Sequence, residues 1–391
     1  MNIPIQKIRP YNSTHPKGFE HSDAYHRQGI EMVKKAIQNG SEILPIMVSH
    51  LPEDGVYQRM DGFKRYFAYK ELGFEEVECC FGPRGGQNKM PWNRKKILFF
   101  ARDRATEEKS STFWIAKRWI QMGLNVDICP FSEIDKRDFT QYNFAFMAKN
   151  KLPIKTHKKI TKQLRACLFM NDALGTPNNP DWNKRILEQA PLYSVAISPY
   201  RDVCEKFEEA DCRRVAQVFQ GFEEPWFEPL GKEKISNVCF VGNLYDDRSE
   251  IINHLRSKGI GVAHFYGTSR MFANTVYNDT KICLNMISRN TFSNRCVRVM
   301  ASGGFLLSQY DSDLERAFGD CIVFWETKDE LVEKVKYYLR HDTEREQIAE
   351  KARTKVQIYS WYWQALKIYQ VLCGENVYDG AYRTEALCGQ I

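Results

Sequence analysis

The sequence predicts an α/β protein of two facing Rossmann-like domains preceded by a small α+β domain. Two series of elements predict the Rossmann-like halves. From Lys96 on, short apolar runs alternate with amphipathic helical segments, and a second such series starts at Val238. Alternation at that spacing is the mark of βαβ units on a parallel sheet. A Gly/Pro-rich stretch over 83–93, PRGGQNKMPWN, then sets the halves apart from what precedes them. The expected division is 1–82 for the small domain, 83–93 for the linker, 94–234 for the first half and 235–391 for the second with closing helices.

In the small domain, the extended run ILPIMV (43–48) is followed by LPEDG, a YQRM strand, the segment DGFKRYFAYKELG and the strand VECCF. Phe63, Tyr66 and Phe67 fall at i, i+3 and i+4, so one helix face buries them, with Tyr69 at its edge. Gly73 stands where a helix-ending glycine belongs. In the first half, KILFFARD, LNVDICPF, YNFAFMA, RACLFMND and PLYSVAISPY read as strands. STFWIAKRWIQMG reads as a helix with Phe113, Trp114, Ile115 and Trp119 apolar. In the second half, NVCFVGNL, GVAHFYG, KICLNMI, GGFLLSQY and CIVFWE read as strands, and RSEIINHLRSKG as a helix with Ile251, Ile252 and Leu255 inward. Two late helices show capping-box spacing, Thr327 with Glu330 and Thr343 with Glu346. Two such halves place a ligand cleft between the carboxyl edges of their sheets.

Composition narrows the function classes. The chain has 391 residues, 43% hydrophobic and 27% charged, an ordinary globular balance. No apolar run approaches the ~20 residues of a membrane helix, and the N-terminus lacks the apolar core of a signal peptide. A cytoplasmic location is expected, the host cytoplasm if the protein is viral. Twelve cysteines lie scattered, mostly in apolar runs and without a C-x-x-C pair, as buried small hydrophobes in a reducing compartment do. The net charge is +7, and the acid-free stretch 148–165 accounts for all of it through Lys149, Lys151, Lys155, Lys158, Lys159, Lys162 and Arg165. A concentrated patch of this kind fits a polyanionic partner or a solvated helix face.

FVGNLYDDR, YNDTKICLN and NRCVRVMASGGFLLSQYDSDLERAF, in that order, resemble the CgeB-like (spore-maturation type) branch of the retaining GT-B glycosyltransferases. SPYRDVCEKF and VFQGFEEPWFEP resemble the family's passage out of its first half, and the likeness covers most of 95–365. It implies the GT-B fold, a nucleotide-sugar donor as co-substrate, and neither metal nor cofactor. A sugar nucleotide needs donors for its diphosphate and a pocket for its nucleoside. Asn294 and Arg295 open a predicted helix, whose first amides and partial positive charge suit a diphosphate. Arg248 and Arg295 offer bidentate phosphate contacts. Gly242, beside Asn243, and the Ser302-Gly303-Gly304 turn permit close backbone approach, and Tyr266-Gly267 borders the base. Relatives carry two glutamates eight positions apart, and Asn290 and Arg298 stand there instead. Arg298 at the ribose-binding position implies an unusual donor, a rotated binding mode or lost activity. In the first half, Asp172 of LFMND stands where related enzymes present a polar group to the cleft, to orient or deprotonate the acceptor hydroxyl. A strand-ending Asp that caps a turn is the alternative. Asp311 and Asp313 of DSD sit in the family's loop before LERAF, not in a metal-binding D-x-D.

The segment LPIMVSH to VEC resembles the ParB/sulfiredoxin superfamily, whose members place a phosphate-holding turn at a helix start. Here that turn is Asp61, Gly62, Lys64 and Arg65. No cysteine precedes it, which argues against sulfiredoxin chemistry. Three functions fit the whole. One is a glycosyltransferase acting on a hydroxymethylated pyrimidine in bacteriophage DNA, which unites the ParB-like domain, the basic stretch and a cytoplasmic sugar transferase. Another is a glycosyltransferase for a surface polysaccharide or protein. The last is a non-enzymatic nucleotide or nucleic-acid binding module with a decayed site at Arg298.

Overall fold

The computed structural model describes residues 2–9, 24–40, 43, 45–50, 57–59, 63–81, 96–101, 110–122, 124–148, 152–171, 180–224, 226–245, 247–287, 293–375, 377 and 379. They form two compact units, 1–96 with 119–125 and 97–118 with 126–391.

The first unit holds β1 (Asn2–Pro4), β2 (Ile8–Arg9), α1 (Ala24–Gln38), β3 (Ile46–His50), β4 (Tyr57–Arg59), α2 (Phe63–Glu71) and β5 (Glu76–Phe81). Its five strands run in the order β1-β5-β3-β4-β2. Ile46, Val48, Val77 and Cys79 of the sheet meet Tyr66, Phe67 and Ala68 of α2 in one core. Tyr66 and Phe67 are buried as their spacing requires, and Tyr69 packs at the edge of the same cluster. Gly73 adopts φ +78°. The amide of Gly73 donates to Lys70 and that of Phe74 to Tyr69, which closes the helix end in the way only a left-handed residue allows. β1, β2 and α1 had no counterpart in the sequence reading.

The second unit contains both Rossmann-like halves apart from Lys96 and 119–125, which group with the first unit. The first half comprises β6 (Lys96–Ala101), α3 (Ser111–Gln121), β7 (Asn125–Pro130), β8 (Phe144–Ala148), α4 (Ile154–Gln163), β9 (Arg165–Phe169), α5 (Pro180–Gln189), β10 (Val195–Ser198), α6 (Arg201–Glu209) and β11 (Val215–Gln217). The strand order is β11-β10-β9-β8-β6-β7, so the chain reverses direction across the sheet between β6 and β8. The second half comprises β12 (Ser236–Val241), α7 (Arg248–Ser257), β13 (Ala263–Phe265), α8 (Arg270–Asp279), β14 (Thr280–Asn285), α9 (Asn294–Ala301), β15 (Leu306–Gln309), α10 (Ser312–Phe318), β16 (Val323–Trp325), α11 (Lys328–Tyr338), α12 (Asp342–Lys355) and α13 (Trp361–Cys373). Its order, β13-β12-β14-β15-β16, puts the reversal between β12 and β14. Neighbouring strands of this sheet are all parallel.

Parallel strands covered on both faces should be apolar throughout, and the central ones are. Phe144–Ala148 is buried at every position, as are Val195–Ser198. Nine of the ten described cysteines are buried and all ten are free, so they pack as small hydrophobes. Thr327 caps α11 by accepting the Glu330 amide, as its spacing predicts. Thr343 does not cap α12. The helix begins one residue earlier, at Asp342, after His341, which makes no side-chain cap. The last helix, α13, returns to the first half and packs on β9 and β10.

Candidate functional site

In an open parallel sheet the crevice lies at the carboxyl ends of the strands where the order reverses, here β12 and β14. β12 leads into Gly242, whose amide donates to Phe265 and whose carbonyl oxygen lies 2.8 Å from His264 Nε2. β14 ends in Asn285 and leads towards α9, which is capped by Ser293 accepting the Arg295 amide at 3.1 Å.

Arg295 is the pivot of this crevice. Its Nε donates to the Val241 carbonyl at 2.6 Å and its Nη1 to Asn285 Oδ1 at 2.8 Å. Asn285 is turned the right way because its Nδ2 donates to Ser308 Oγ at 2.9 Å. The guanidinium carbon lies 4.4 Å from the centre of the Phe240 ring. Nη2 occupies the space that a side chain at Gly242 would fill, and Gly242 has φ +154°. Arg295 is only 8% exposed, and no carboxylate among the described residues pairs with it. Burial accordingly pulls its pKa down. A buried cation held by neutral acceptors at the reversal point of a sheet is suited to an anion.

Arg248 also lies over the Phe240 ring, 5.6 Å from its centre. Its Nε and Nη2 donate to the Met286 carbonyl at 3.1 and 2.8 Å, and its Nη1 to the Asn243 carbonyl at 3.0 Å. These bonds tie the loop after β12 to the end of β14. Asn243 Nδ2 donates to Tyr245 Oη at 2.7 Å. Tyr266, one residue past β13, is 73% exposed, and Gly267 follows with φ +66°.

Asn294 and Arg295 thus lie at the amino end of α9, but Ser302, Gly303 and Gly304 lie at the opposite end. The amides of those three donate to Arg298, Met300 and Val299, and Ser302 Oγ donates to the Arg298 carbonyl. A Cβ at Gly304 would meet Val299 within 3.0 Å, so this glycine serves a tight turn from α9 into β15. An eight-residue helix separates the two groups by roughly 12 Å.

Arg298, one turn beyond Arg295, is taken up by a carboxylate that the sequence reading missed. Its Nε and Nη2 donate to the two oxygens of Glu223 at 2.8 and 2.5 Å, and Arg270 Nε donates to the same carboxylate at 2.7 Å. Glu223 is 1% exposed. Burial pushes its pKa up, but Arg298 and then Arg270 pull harder, and it ends below the usual glutamate value. Asn290 lies outside the described residues. Asp311 caps α10 by accepting the Leu314 amide. Asp313 accepts from Arg201 Nε at 3.3 Å and Gln217 Nε2 at 2.8 Å, so both DSD carboxylates are engaged.

In the first half Asp172 lies outside the described residues. Its neighbour Asn171 donates through Nδ2 to Ser111 Oγ, at the start of α3, at 2.5 Å. Of the basic stretch, Lys149 and Lys151 also lie outside. Lys155, Lys158, Lys159 and Lys162 are exposed along α4, while His157 and Ile160 face inward. The four lysines fall at i, i+3, i+4 and i+7, so they form one stripe opposite the buried side. None pairs with a carboxylate among the described residues. In the first unit, Asp61 and Gly62 lie outside the described residues, and Arg65 donates to the Pro45 carbonyl at 2.9 Å, with Lys64 beside it on α2.

Residues 213–367 match a family model described as glycosyl transferase-like. No curated protein sequence matches the chain. Among solved structures, sucrose-phosphate synthase from Thermosynechococcus elongatus is similar at 10% identity and a TM-score of 0.50, over 71% of this chain and 98% of that one. The Anabaena protein HepE, in complex with UDP and glucose, is similar at 11% identity and a TM-score of 0.51, over 72% of this chain and all of that one. Sulfiredoxin from Arabidopsis thaliana is 25% identical over 21% of this chain and 81% of that one, with a TM-score of 0.17. The second unit therefore has the GT-B fold, and residues 213–367 of it are similar to the glycosyl transferase-like family model.

Proposed function

We propose that the protein is a retaining, metal-independent glycosyltransferase that moves a sugar from a nucleotide-sugar donor to the hydroxyl of a hydroxymethylated pyrimidine in phage DNA. Arg295 carries the donor assignment: a buried cation that pairs with no carboxylate among the described residues, at the amino end of α9 and at the sheet reversal. The diphosphate would take the place its charge leaves open, against the backbone of Gly242 and Asn243. Arg248 holds those loops together from behind, and Tyr266 and Gly267 border the base. Arg298 and the Ser302-Gly303-Gly304 turn serve the site by fixing α9 at its middle and far end. The sugar C1–O bond to the diphosphate breaks as the C1–O bond to the acceptor forms. The nucleoside diphosphate leaves with its charge met by Arg295. Asp172 orients the acceptor hydroxyl and assists its deprotonation.

The stripe of Lys155, Lys158, Lys159 and Lys162 supports a nucleic-acid acceptor. Regularly spaced cations on one helix face suit a phosphate backbone, with Lys64 and Arg65 of the small unit as a second contact. The test is to incubate the purified protein with a panel of nucleotide sugars, with and without hydroxymethylated DNA, and to measure nucleotide release. Release stimulated by that DNA and by no unmodified DNA is expected. Turnover that DNA never stimulates would move the acceptor to a surface glycan or protein. No turnover and no nucleotide binding with any donor would remove the enzymatic reading.

A further inference from the structure

The passage between the two Rossmann-like halves carries three polar side chains that the donor and acceptor assignments do not use. Gln220 Nε2 donates to Tyr200 Oη at 2.8 Å and lies 3.5 Å from the Asn171 carbonyl oxygen, both in the first half. Glu224 also reaches the first half. Arg118 of α3 pairs with its Oε2, and its Oε1 accepts the Tyr362 amide at the start of α13. Glu223 reaches the second half, where Arg270 of α8 and Arg298 of α9 enclose it. Adjacent carboxylates thus grip opposite halves.

What they grip matters. Arg298 lies one turn from Arg295 on α9. Arg118 is on α3, whose first residue, Ser111, accepts from Asn171, the neighbour of Asp172. Side-chain pairs at Glu223, Glu224 and Ser111, joined by the Glu223–Glu224 backbone and the length of α3, therefore link the helix of the donor crevice to the strand end of the acceptor half.

We infer that Glu223 and Glu224 are positioning residues that set the register between the two halves, so that the strand end at Asn171 and the amino end of α9 present their ligands to each other. Glu223 anchors the passage to the donor half, and Glu224 anchors it to the acceptor half. This rests on the transferase reading for its catalytic consequence, though not for its structural one.

The two carboxylates then have separable effects. Glu224→Gln keeps an acceptor for the Tyr362 amide but presents Arg118 with a neutral amide. It should loosen the acceptor half without touching α9. Nitroxide labels at positions 188 and 258 of the full-length protein, both exposed, read the distance between halves by double electron–electron resonance. They are attached through a non-cysteine handle because twelve cysteines are native. The wild type and Arg118→Lys, which keeps the charge, should give one narrow distribution that Glu224→Gln broadens. With a nucleotide sugar and DNA, Glu224→Gln should lower kcat by about tenfold, as misplacement of reactants does, while the calorimetric Kd for UDP stays at the wild-type value. Glu223→Gln should weaken UDP binding, because it releases α9. An unchanged distance distribution in Glu224→Gln, or a loss of UDP affinity equal to that of Glu223→Gln, overturns the inference. The distances need no substrate, so an inactive wild type would sink the transferase reading while the distance result alone decides this one.

Discussion

Glu223 decides what Arg298 does. A carboxylate that is 1% exposed survives burial because two guanidiniums supply three hydrogen bonds to it. Removing one partner of such a cluster leaves an unpaired buried charge, at a cost of about 3–5 kcal/mol. Arg298→Glu would set two carboxylates against each other there. We expect it to unfold at markedly lower urea concentration than the wild type, with Arg298→Lys intermediate because a lysine cannot make the fork. A folded Arg298→Glu protein with altered nucleotide preference would instead place Arg298 at the donor. The same cluster has a pH signature. Glu223 titrates below the ordinary glutamate value of 4.5 when folded. Its stabilisation is therefore full above that value and is lost as the pH falls through the lowered one. Thermal scans at falling pH should show a steeper loss of Tm in the wild type than in Glu223→Gln, which has no proton to take up. Equal slopes would mean that the cluster does not hold Glu223 ionised.

At the scale of elements, the site is one loop, one helix and the glycine that lets them touch. A side chain at Gly242 would overlap Arg295 Nη2 and would adopt a φ that non-glycine residues avoid. Gly242→Ala should therefore push the guanidinium out of its place and weaken UDP binding, while near-wild-type circular dichroism shows that the sheet survives. Wild-type affinity in that variant would detach Arg295 from the donor. The helix α4 carries the acceptor prediction. Duplex binding should fall steeply with salt, with a log–log slope of roughly −0.9 per phosphate neutralised. Replacing Lys155, Lys158, Lys159 and Lys162 together by Gln should flatten the slope and leave UDP affinity alone. Undetectable DNA binding at low salt would favour a glycan or protein acceptor.

These elements were legible because each writes its own period. Strands such as YNFAFMA are short apolar runs, and the helix around Trp114 and Trp119 repeats its apolar face. The places of Gly242 after a strand and of Arg295 at a helix start were legible because a strand end and a helix start are local features. Glu223 was not. Its partners lie 47 and 75 residues away, and no local pattern marks a glutamate in a connecting segment as buried. The Ser302-Gly303-Gly304 turn misled in the opposite way, since a glycine pair reads as close approach without saying to what. Thr343 had the capping spacing, yet the helix had already begun at Asp342, because spacing alone does not choose the first residue.

At the scale of the whole unit, the chain crosses between the halves twice, out along 218–224 and back before α13, and the two crossings touch. The Phe222 amide donates to the Tyr359 carbonyl at 3.1 Å and the Trp361 amide to the Phe222 carbonyl at 3.0 Å. Gly221 makes this contact fit. A Cβ there would lie 2.7 Å from the Trp361 nitrogen and 2.8 Å from its Cα, and backbone cannot swing aside as a flexible side chain can. Gly221→Ala should force the crossings apart. Overpacking of this kind costs about 1–3 kcal/mol, and here the cost falls beside Glu223 and Glu224. The variant should melt earlier than the wild type, and the Phe222 and Trp361 amides should exchange with deuterium faster. The sheets on either side should keep their protection, because neither half packs through that methyl. Protection lost evenly across both halves would mean that Gly221 matters to the fold as a whole and not to the crossing. Unchanged Tm and exchange would show that the crossings yield without cost, and would remove the rigid base that Glu223 and Glu224 need in order to set the register.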